Sequence, residues 1–507
     1  MLPTGSRSAA GSYLEFRRQY LLGPSAHDAL PGWAPHWVND RLQLAVHPDL
    51  PCTRVDVGGR SLILLGHLID PRHPERDERA ILEEVLREPL PLRELLRRFD
   101  YLTGRWAALY SAEGRVTAFH DAAGLRQIHH CRDADGAVWI GSRSELLARV
   151  TDAPADVDGR VDLERAGGLA PESNHFWPGT GSPFVGIERL LPNHHLDVAS
   201  REVTRFWPDA RVVRVDRSEA VATCGSMLTG TVAAAAGRYP LALAITSGMD
   251  SRILLAALRG HADRLSLYTL KKVNLNARSG DLRVPRKMLR RVGLTRKVIP
   301  VDPAAEGEVV DVLRSTFHPP HASVLRSVAA LSADPPIADG EWVTVNGNVC
   351  EIARGSYLSR PPGTGFPSPQ QLSEVAGMGG SAYAEEQFGL WCEGAAAAVD
   401  ASGIDPWDLF YWEQKMGGWL AGVRAEFDIV EEGVSPYNSR SLIECMLGVD
   451  PKLRCPPDYL FFRDLIDDLW PELLRYPINP PDASAALKER LRRIFSGALA
   501  LVSPRAN

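Results

Sequence analysis

Residues 245–252 read I-T-S-G-M-D-S-R, where an apolar run, L-A-L-A-I, gives way to the helical pattern I-L-L-A-A-L. Hydroxyls, a glycine and a carboxylate at a strand-to-helix junction are the ingredients of a phosphate-binding turn. In an open parallel sheet, ligands bind beyond the carboxyl ends of the strands, where a starting helix offers unpaired N–H groups and a positive dipole end. Thr246, Ser247 and Ser251 add hydroxyl donors, Gly248 permits close backbone approach, and Asp250 can hold a divalent ion. Arg252 supplies a cation beside any bound phosphate, or else pairs on the helix surface. The plain alternative is that Ser247 or Asp250 merely caps the helix. Eight residues do not choose between these readings. Neither G-x-x-x-x-G-K-[ST] nor G-x-G-x-x-G follows the strand, so other phosphate loops do not fit.

The elements that must position this turn follow from periodicity. Ser218 to Gly237 is Ala-rich and helical in pattern, 241–246 is a strand, and 251–260 is a helix. Strands at 265–270 and 297–301 flank a helix at 286–293, and Trp342 to Val345 is a fourth strand ending in N-G-N. This β-α-β rhythm predicts a parallel sheet covered by helices on both faces. The stretch 358–379, rich in Gly, Pro and Ser, reads as a long surface loop or lid, and the chain beyond 382 as mainly helical. Before residue 210 the pattern changes. Short apolar runs at Ser61–Leu65, Trp106–Tyr110 and Val138–Ile140, each bounded by turn residues, alternate with a helix over 76–87. The expected division is a domain of residues 1–212 and another of 213–507.

Composition narrows the function classes. The 507 residues are 45% hydrophobic and 24% charged, with a net charge of -6 and a pI near 6.2. That balance is globular and lacks the basic footprint of a nucleic-acid binder. The basic stretch Arg283 to Lys297 has helical spacing and reads as a solvated helix face. Seven dispersed cysteines contain no C-x-x-C pair, which fits a reduced cytoplasm better than a disulfide framework. No secretory signal pattern and no membrane-length apolar run is evident, so a cytoplasmic protein without membrane contact is expected. The histidines at His129-His130, His194-His195, His318 and His321 lack a third ligand at metal spacing and read as loop or strand-end residues.

T-S-G-M-D-S resembles the S-G-G-x-D-S loop of the ATP pyrophosphatases, which transfer AMP to a carbonyl oxygen. Thr246 and Ser247 replace the first serine and glycine, while Gly248, Asp250 and Ser251 match. Two further segments resemble the asparagine synthetase and beta-lactam synthetase family. G-N-V-C-E-I-A-R-G-S-Y aligns with G-E-G-A-D-E-L-F-G-G-Y, with Gly347, Gly355 and Tyr357 matching and Glu351 standing at the second metal-binding aspartate. S-P-Y-N-S-R-S-L-I-E resembles V-P-F-L-D-H-R-L-V-E, with Glu432 on the upstream glutamate. In the first 200 residues, L-I-L-L-G-H-L-I-D, L-T-G-R-W-A-A-L-Y and W-I-G-S-R-S-E-L-L occur in the order of the family's glutaminase-type domain. The resemblance implies an N-terminal α+β Ntn-hydrolase-like sandwich and a C-terminal parallel-sheet α/β ATP-pyrophosphatase domain with a helical C-terminal part. It also implies ATP as cofactor, with Mg2+ held by Asp250 and Glu351.

Several positions depart from the family. A chain beginning Met1-Leu2, with its nearest cysteine at Cys52, lacks the N-terminal thiol nucleophile, so this domain is not expected to hydrolyse glutamine. Beta-lactam synthetases lack it too. Asn348 replaces the family's glutamate and cannot serve as a general base. Glu413, set among aromatics that could raise its pKa, is a candidate base; the alternative is a surface glutamate paired with Lys415 or Arg424. The family's C-terminal lysine is missing, and Arg475 is the nearest cation. The expected function is an ATP-dependent ligase of specialised metabolism, joining a small carboxylic acid to an amine through an adenylate. The alternatives are an impaired pseudoenzyme or scaffold, and an ammonia-dependent asparagine synthetase. A homodimer is one expectation for its assembly.

Overall fold

The computed structural model describes residues 13–30, 32–334, 342–357 and 365–480. Its first half contains β1 (Tyr20–Gly23), β2 (Ala34–Asn39), β3 (Leu42–Val46), β4 (Cys52–Val57), β5 (Arg60–Ile69), β6 (Thr103–Ala112), β7 (Arg115–His120), β8 (His129–Arg132), β9 (Val138–Gly141), β10 (Glu188–Arg189), β11 (His194–Asp197) and β12 (Val203–Arg205). These form two antiparallel sheets, ordered β10-β8-β9-β1-β3-β2 and β12-β11-β7-β6-β5-β4. Side chains alternate across each strand, and both inner faces are apolar. Tyr20, Leu22, Leu44 and Val46 of one sheet therefore meet Ile63, Leu65, Ala107 and Leu109 of the other in a single core.

The outer faces are covered by helices. Leu62 and Leu64 of β5 point away from the sandwich onto Ile81 and Leu82 of helix Glu78–Val85. On the other side, Leu21 and Ala45 pack on Leu146 and Leu147 of helix Ser144–Thr151. The result is a helix–sheet–sheet–helix sandwich, the α+β class expected from the sequence.

The second half holds a five-stranded sheet, β15-β14-β13-β16-β17, in which every pairing is parallel. Its strands are β13 (Leu241–Ala244), β14 (Leu265–Lys271), β15 (Lys297–Pro300), β16 (Val343–Val345) and β17 (Glu432–Val434). Parallel strands need crossovers and are buried on both faces. Leu241 and Leu243 face the larger core with Ile253 and Leu254, while Ala242 and Tyr268 face Leu313 and Val328. Beyond residue 382 the described chain is mainly helical, as expected.

Two expectations change. The supposed loop over 358–379 contains a helix, Pro369–Ala376, started by a Ser368–Gln371 capping box with proline at its first position; residues 358–364 lie outside the described residues. Helix Arg217–Arg238 is long and apolar enough to cross a membrane, with a mean hydropathy of 1.3 over its best window, where no such run was expected. Its Ala-rich face packs in the core with Leu465 and Phe461, and this accounts for its composition.

The basic stretch behaves as expected, since Arg286, Lys287, Arg290 and Arg291 lie on the exposed side of helix Gly280–Arg291. All seven cysteines are free thiols. Among the described residues no cluster of His, Cys, Asp or Glu could hold a metal through three such ligands.

The halves are in close contact. Gly417 and Gly418, inside a π-helix over Tyr411–Leu420, leave space for Pro192 and Phe176, whose carbons would lie 2.6 and 2.8 Å from an added Cβ. Asn438 of the S-P-Y-N segment donates to the Gly104 carbonyl oxygen at 2.7 Å and to Asp121 at 2.8 Å, and accepts from the Ala123 N–H at 2.8 Å. That motif therefore joins the two halves.

Candidate active site

Strand β13 ends at Ala244 and helix Met249–Ala257 begins five residues later, so the quoted turn sits at the carboxyl edge of the central parallel strand. The helix has Gly248 as its N-cap residue and no side-chain cap. Capping by Ser247 or Asp250 is thereby ruled out, and the first-turn amides point outward without a side-chain partner. Thr246 and Ser251 hold the turn from inside. The Thr246 N–H donates to Ser251 Oγ at 3.3 Å, and Thr246 Oγ1 accepts the Gly248 N–H at 3.1 Å.

Ser247 is used differently from the expectation. Its N–H and its hydroxyl both donate to Asp281 Oδ1, at 2.9 and 2.6 Å. Asp281 belongs to the first turn of the next helix, Gly280–Arg291. Ser247 is thus a strut of the turn and offers neither donor to a ligand. Arg252 is also corrected. Its guanidinium is buried and donates to the carbonyl oxygens of Ser247, Leu473, Tyr476 and Pro477 at 2.6–3.2 Å. Helix geometry turns it away from the first-turn amides, so it fastens the segment 473–477 to the back of the turn. That segment continues to Asn479, whose N–H donates to the Ser247 carbonyl oxygen at 3.1 Å. Arg475, on the same segment, is exposed.

The second loop arrives from β16. A Cβ on Gly347 would lie 2.9 Å from the Asp250 Cβ and 3.3 Å from the Ser251 N, so only glycine lets the two loops approach this closely. Val349, buried, has φ of +84°. A β-branched residue there is strained. The bend starts a 3₁₀ turn, Cys350–Arg354, that turns Glu351 and Arg354 towards Asp250. Asn348 is half-buried in the same loop.

Asp250 and Glu351 are therefore brought together as expected, with a third residue the sequence reading missed. Arg354 Nη1 lies 3.0 Å from Asp250 Oδ1 and its Nη2 lies 3.5 Å from Glu351 Oε1. Cys350 Sγ donates to Asp250 Oδ1 at 3.0 Å. Burial, reinforced by the charge of Asp250, pushes the Glu351 carboxyl up to about 7. Burial, with Asp250 adding to it, pushes the Cys350 thiol well above its ordinary value, so it is a donor and no nucleophile. Tyr437, fully buried beside the same charges, has a hydroxyl with no hydrogen-bond partner. Only a general signal could have found Arg354: a cation one helical turn after an acid in a glycine-bounded loop.

Arg354→Met should leave the two carboxylates, each about a fifth exposed, without their shared cation. The expected cost is about 1–3 kcal/mol, reduced from the fully buried case by this exposure. Thermal unfolding with and without Mg2+ checks it: the variant should lose stability and recover more of it with Mg2+ than the unaltered protein gains.

Glu413 does not join this group. It is fully buried and accepts from Arg205 Nη2 at 2.8 Å, Asn193 Nδ2 at 3.0 Å and Trp391 Nε1 at 2.8 Å, with a second contact to Arg205 Nη1. Burial pushes its carboxyl upward, but the charge and hydrogen bonds of Arg205 outweigh it and hold the group below its ordinary value. It is neither the raised base nor the surface residue expected, because its aromatic neighbours come with an arginine from β12. Cys52, on β4, has its thiol pushed up to about 12 by burial, which keeps it protonated at neutral pH.

No family model and no curated protein matches the sequence. Solved structures with some likeness include glutamine-dependent NAD+ synthetase from Acinetobacter baumannii with ADP, at 13% identity and a TM-score of 0.22, covering 40% of this chain and 42% of that one. Glutamine phosphoribosylpyrophosphate amidotransferase from B. subtilis, with ADP and GMP, is 12% identical with a TM-score of 0.24, covering 61% of this chain and 90% of that one. An allosteric regulatory enzyme of purine biosynthesis is 12% identical with a TM-score of 0.25, covering 60% and 73%. Likeness at this level assigns no activity.

Proposed function

We propose that the protein is an ATP-dependent ligase that activates a substrate carboxylate as its adenylate and passes the acyl group to an amine. The observation that carries this reading is the meeting of Asp250, on the first turn of an uncapped helix at a parallel-strand end, with Glu351 from the neighbouring strand's loop. A triphosphate at this edge accepts from the free first-turn amides and from the Thr246 hydroxyl. Asp250 and Glu351 offer the oxygen ligands that Mg2+ favours, and Glu351 Oε2 is buried with no hydrogen-bond partner, so the acidic pair fits such an ion. Bound there, Mg2+ would supply positive charge against the pyrophosphate as it leaves.

The chain's own contribution is to place the reactants. A carboxylate oxygen forms a bond to the α-phosphorus as the α–β phosphoanhydride breaks. The amine nitrogen then attacks the acyl carbon, AMP leaves, and the amine loses a proton. Arg354, 3.0 Å from Asp250, would turn its donors to phosphate oxygens were the acidic pair to hold a cation. In this reading residues 213–507 carry the chemistry. Residues 1–212, without an activated cysteine, cover and orient the second substrate.

A second reading has a specific observation behind it. Arg354 already neutralises the acidic pair and Asn348 offers no base, the arrangement of a protein that binds nucleotide without turning it over. Incubation with ATP, Mg2+ and panels of carboxylic acids and amines separates the two. Equimolar AMP and pyrophosphate that depend on both an acid and an amine are expected. Nucleotide binding without AMP supports the second reading, and ADP with phosphate sinks the adenylation proposal.

A further inference from the structure

A cavity of about 70 Å3 lies at the seam of the two halves, away from the 246–251 and 347–354 loops. That volume holds about five waters at roughly 15 Å3 each. His129 of β8, Arg143, His175, Trp177 and Arg189 of β10 line it from the sandwich side, and Phe317, Pro319, His321 and Glu426 close it from the other.

Its wall is rich in donors that have nothing to donate to. Arg189 is 4% exposed. Its Nη2 donates to the carbonyl oxygens of Trp177 and Gly179, at 3.2 and 2.7 Å, while its Nε is buried and unpartnered. Among the described residues no acid forms an ion pair with it. Arg143 Nε and Trp177 Nε1 are also buried without a hydrogen-bond partner among the described residues.

The acids on the wall are committed elsewhere. Glu145 accepts from Arg143 Nη2 at 3.0 Å and from the Ser144 hydroxyl at 3.1 Å. Glu426 accepts from the His321 ring Nδ1 at 2.6 Å and from the His321 N–H at 3.2 Å. Burial above all holds the His129 ring well below its ordinary pKa and the His175 ring at about 4, so both are neutral near pH 7. Among the described residues the wall is left with one uncompensated guanidinium charge, Arg189, beside the unpartnered Trp177 N–H. An interior positive charge without a counter-ion is strongly unfavourable, and water in the cavity cannot cancel it.

We propose that this cavity binds the oxyanion group of a small molecule, a carboxylate or a phosphate, with Arg189 as counter-ion and the Trp177 N–H as an orienting donor. Guanidinium contact supported by a fixed neutral N–H donor is a usual means of holding such a group. Nothing in this site depends on the ligase reading, because no residue of the nucleotide turn lines it.

The full chain, titrated with sodium acetate, sodium phosphate and sodium chloride at matched ionic strength, tests the proposal by calorimetry and thermal unfolding. Acetate or phosphate should raise the unfolding temperature saturably beyond chloride; response to one alone identifies the source. Arg189→Met should abolish the response while the ligand-free variant unfolds at the same or a higher temperature, since an apolar side chain of similar length replaces an unpaired charge. Trp177→Phe, which keeps the ring and deletes one N–H, should weaken the affinity about tenfold, and it serves if the arginine variant does not fold. Neither anion exceeding chloride, or variants that respond as the unaltered protein does, overturns the proposal.

Discussion

Asp250→Asn is expected to lower the release of AMP and pyrophosphate by about 10²–10³-fold, the size of effect seen when one charge-stabilising group is removed from an active site. Asp250 is the carboxylate that belongs at once to the first turn of helix Met249–Ala257 and to the Arg354 contact at 3.0 Å. Asparagine keeps the shape of the side chain and the helix start, but it removes the negative charge that the proposed cation would bind and that Arg354 now balances. The fold should survive, because Asp250 is partly exposed and helix Met249–Ala257 has no side-chain cap to lose. Single-turnover assays together with calorimetric nucleotide binding check the result. Activity within threefold of the unaltered enzyme would remove Asp250 from the chemistry, and with it the proposed cation site.

Asp428→Ala should produce the largest loss of stability, about 3–5 kcal/mol. Asp428 is buried at the seam, where its carboxylate meets both terminal nitrogens of Arg105, at 2.8 Å for Nη2 and in a short contact for Nη1. It also accepts from Gln19 Nε2 at 3.0 Å and Arg126 Nη1 at 3.4 Å, and its carbonyl oxygen accepts from Arg18 Nη1 at 2.5 Å. Glu432, which the Arg126, Arg105 and Arg18 charges hold far below its ordinary pKa despite burial, is the other acid of the cluster, 3.0 Å from Arg126 Nη2.

Removing Asp428 leaves three buried guanidinium groups around one carboxylate. Because residues 18, 105 and 126 come from the sandwich and 428 and 432 from the second half, the loss should also uncouple the halves. Denaturant unfolding followed by two probes, one in each half, should show separate transitions in the variant. A change under 1 kcal/mol with coincident transitions would show that the cluster holds nothing together. Arg105→Met combined with Asp428→Leu should cost less than the two single changes summed, since the unpaired charge that dominates each single variant is absent.

Short-range patterns were legible in the chain. The turn 245–252, four of the five parallel strands, the helix at 217–238 and the exposed basic face of helix Gly280–Arg291 all rest on periodicity and local residue chemistry, which act within a few residues. Gly347 was readable as a site residue, although its reason, a 2.9 Å approach to Asp250, was not. Partners separated by a hundred residues or more were not readable. Glu413 looked like a base with a raised pKa because its aromatic neighbours lie close in sequence, while Arg205, which reverses the shift, lies 208 positions away. Arg252 looked like a phosphate ligand because it follows Ser251, and the carbonyl oxygens that claim it come from residues 473–477.

What the sequence alone determined is the kind of element at each place and the residue types at the strand-end turn, because propensity and hydrophobic period are local properties of the chain. Tertiary structure decided which charges meet: Arg354 between Asp250 and Glu351, Asp281 against Ser247, and Arg189 left without a counter-ion among the described residues. The charge and hydrogen-bonding of a side chain are set by whatever the fold brings within a few ångströms of it, and in the interior those contacts are too strong for chain proximity to foretell.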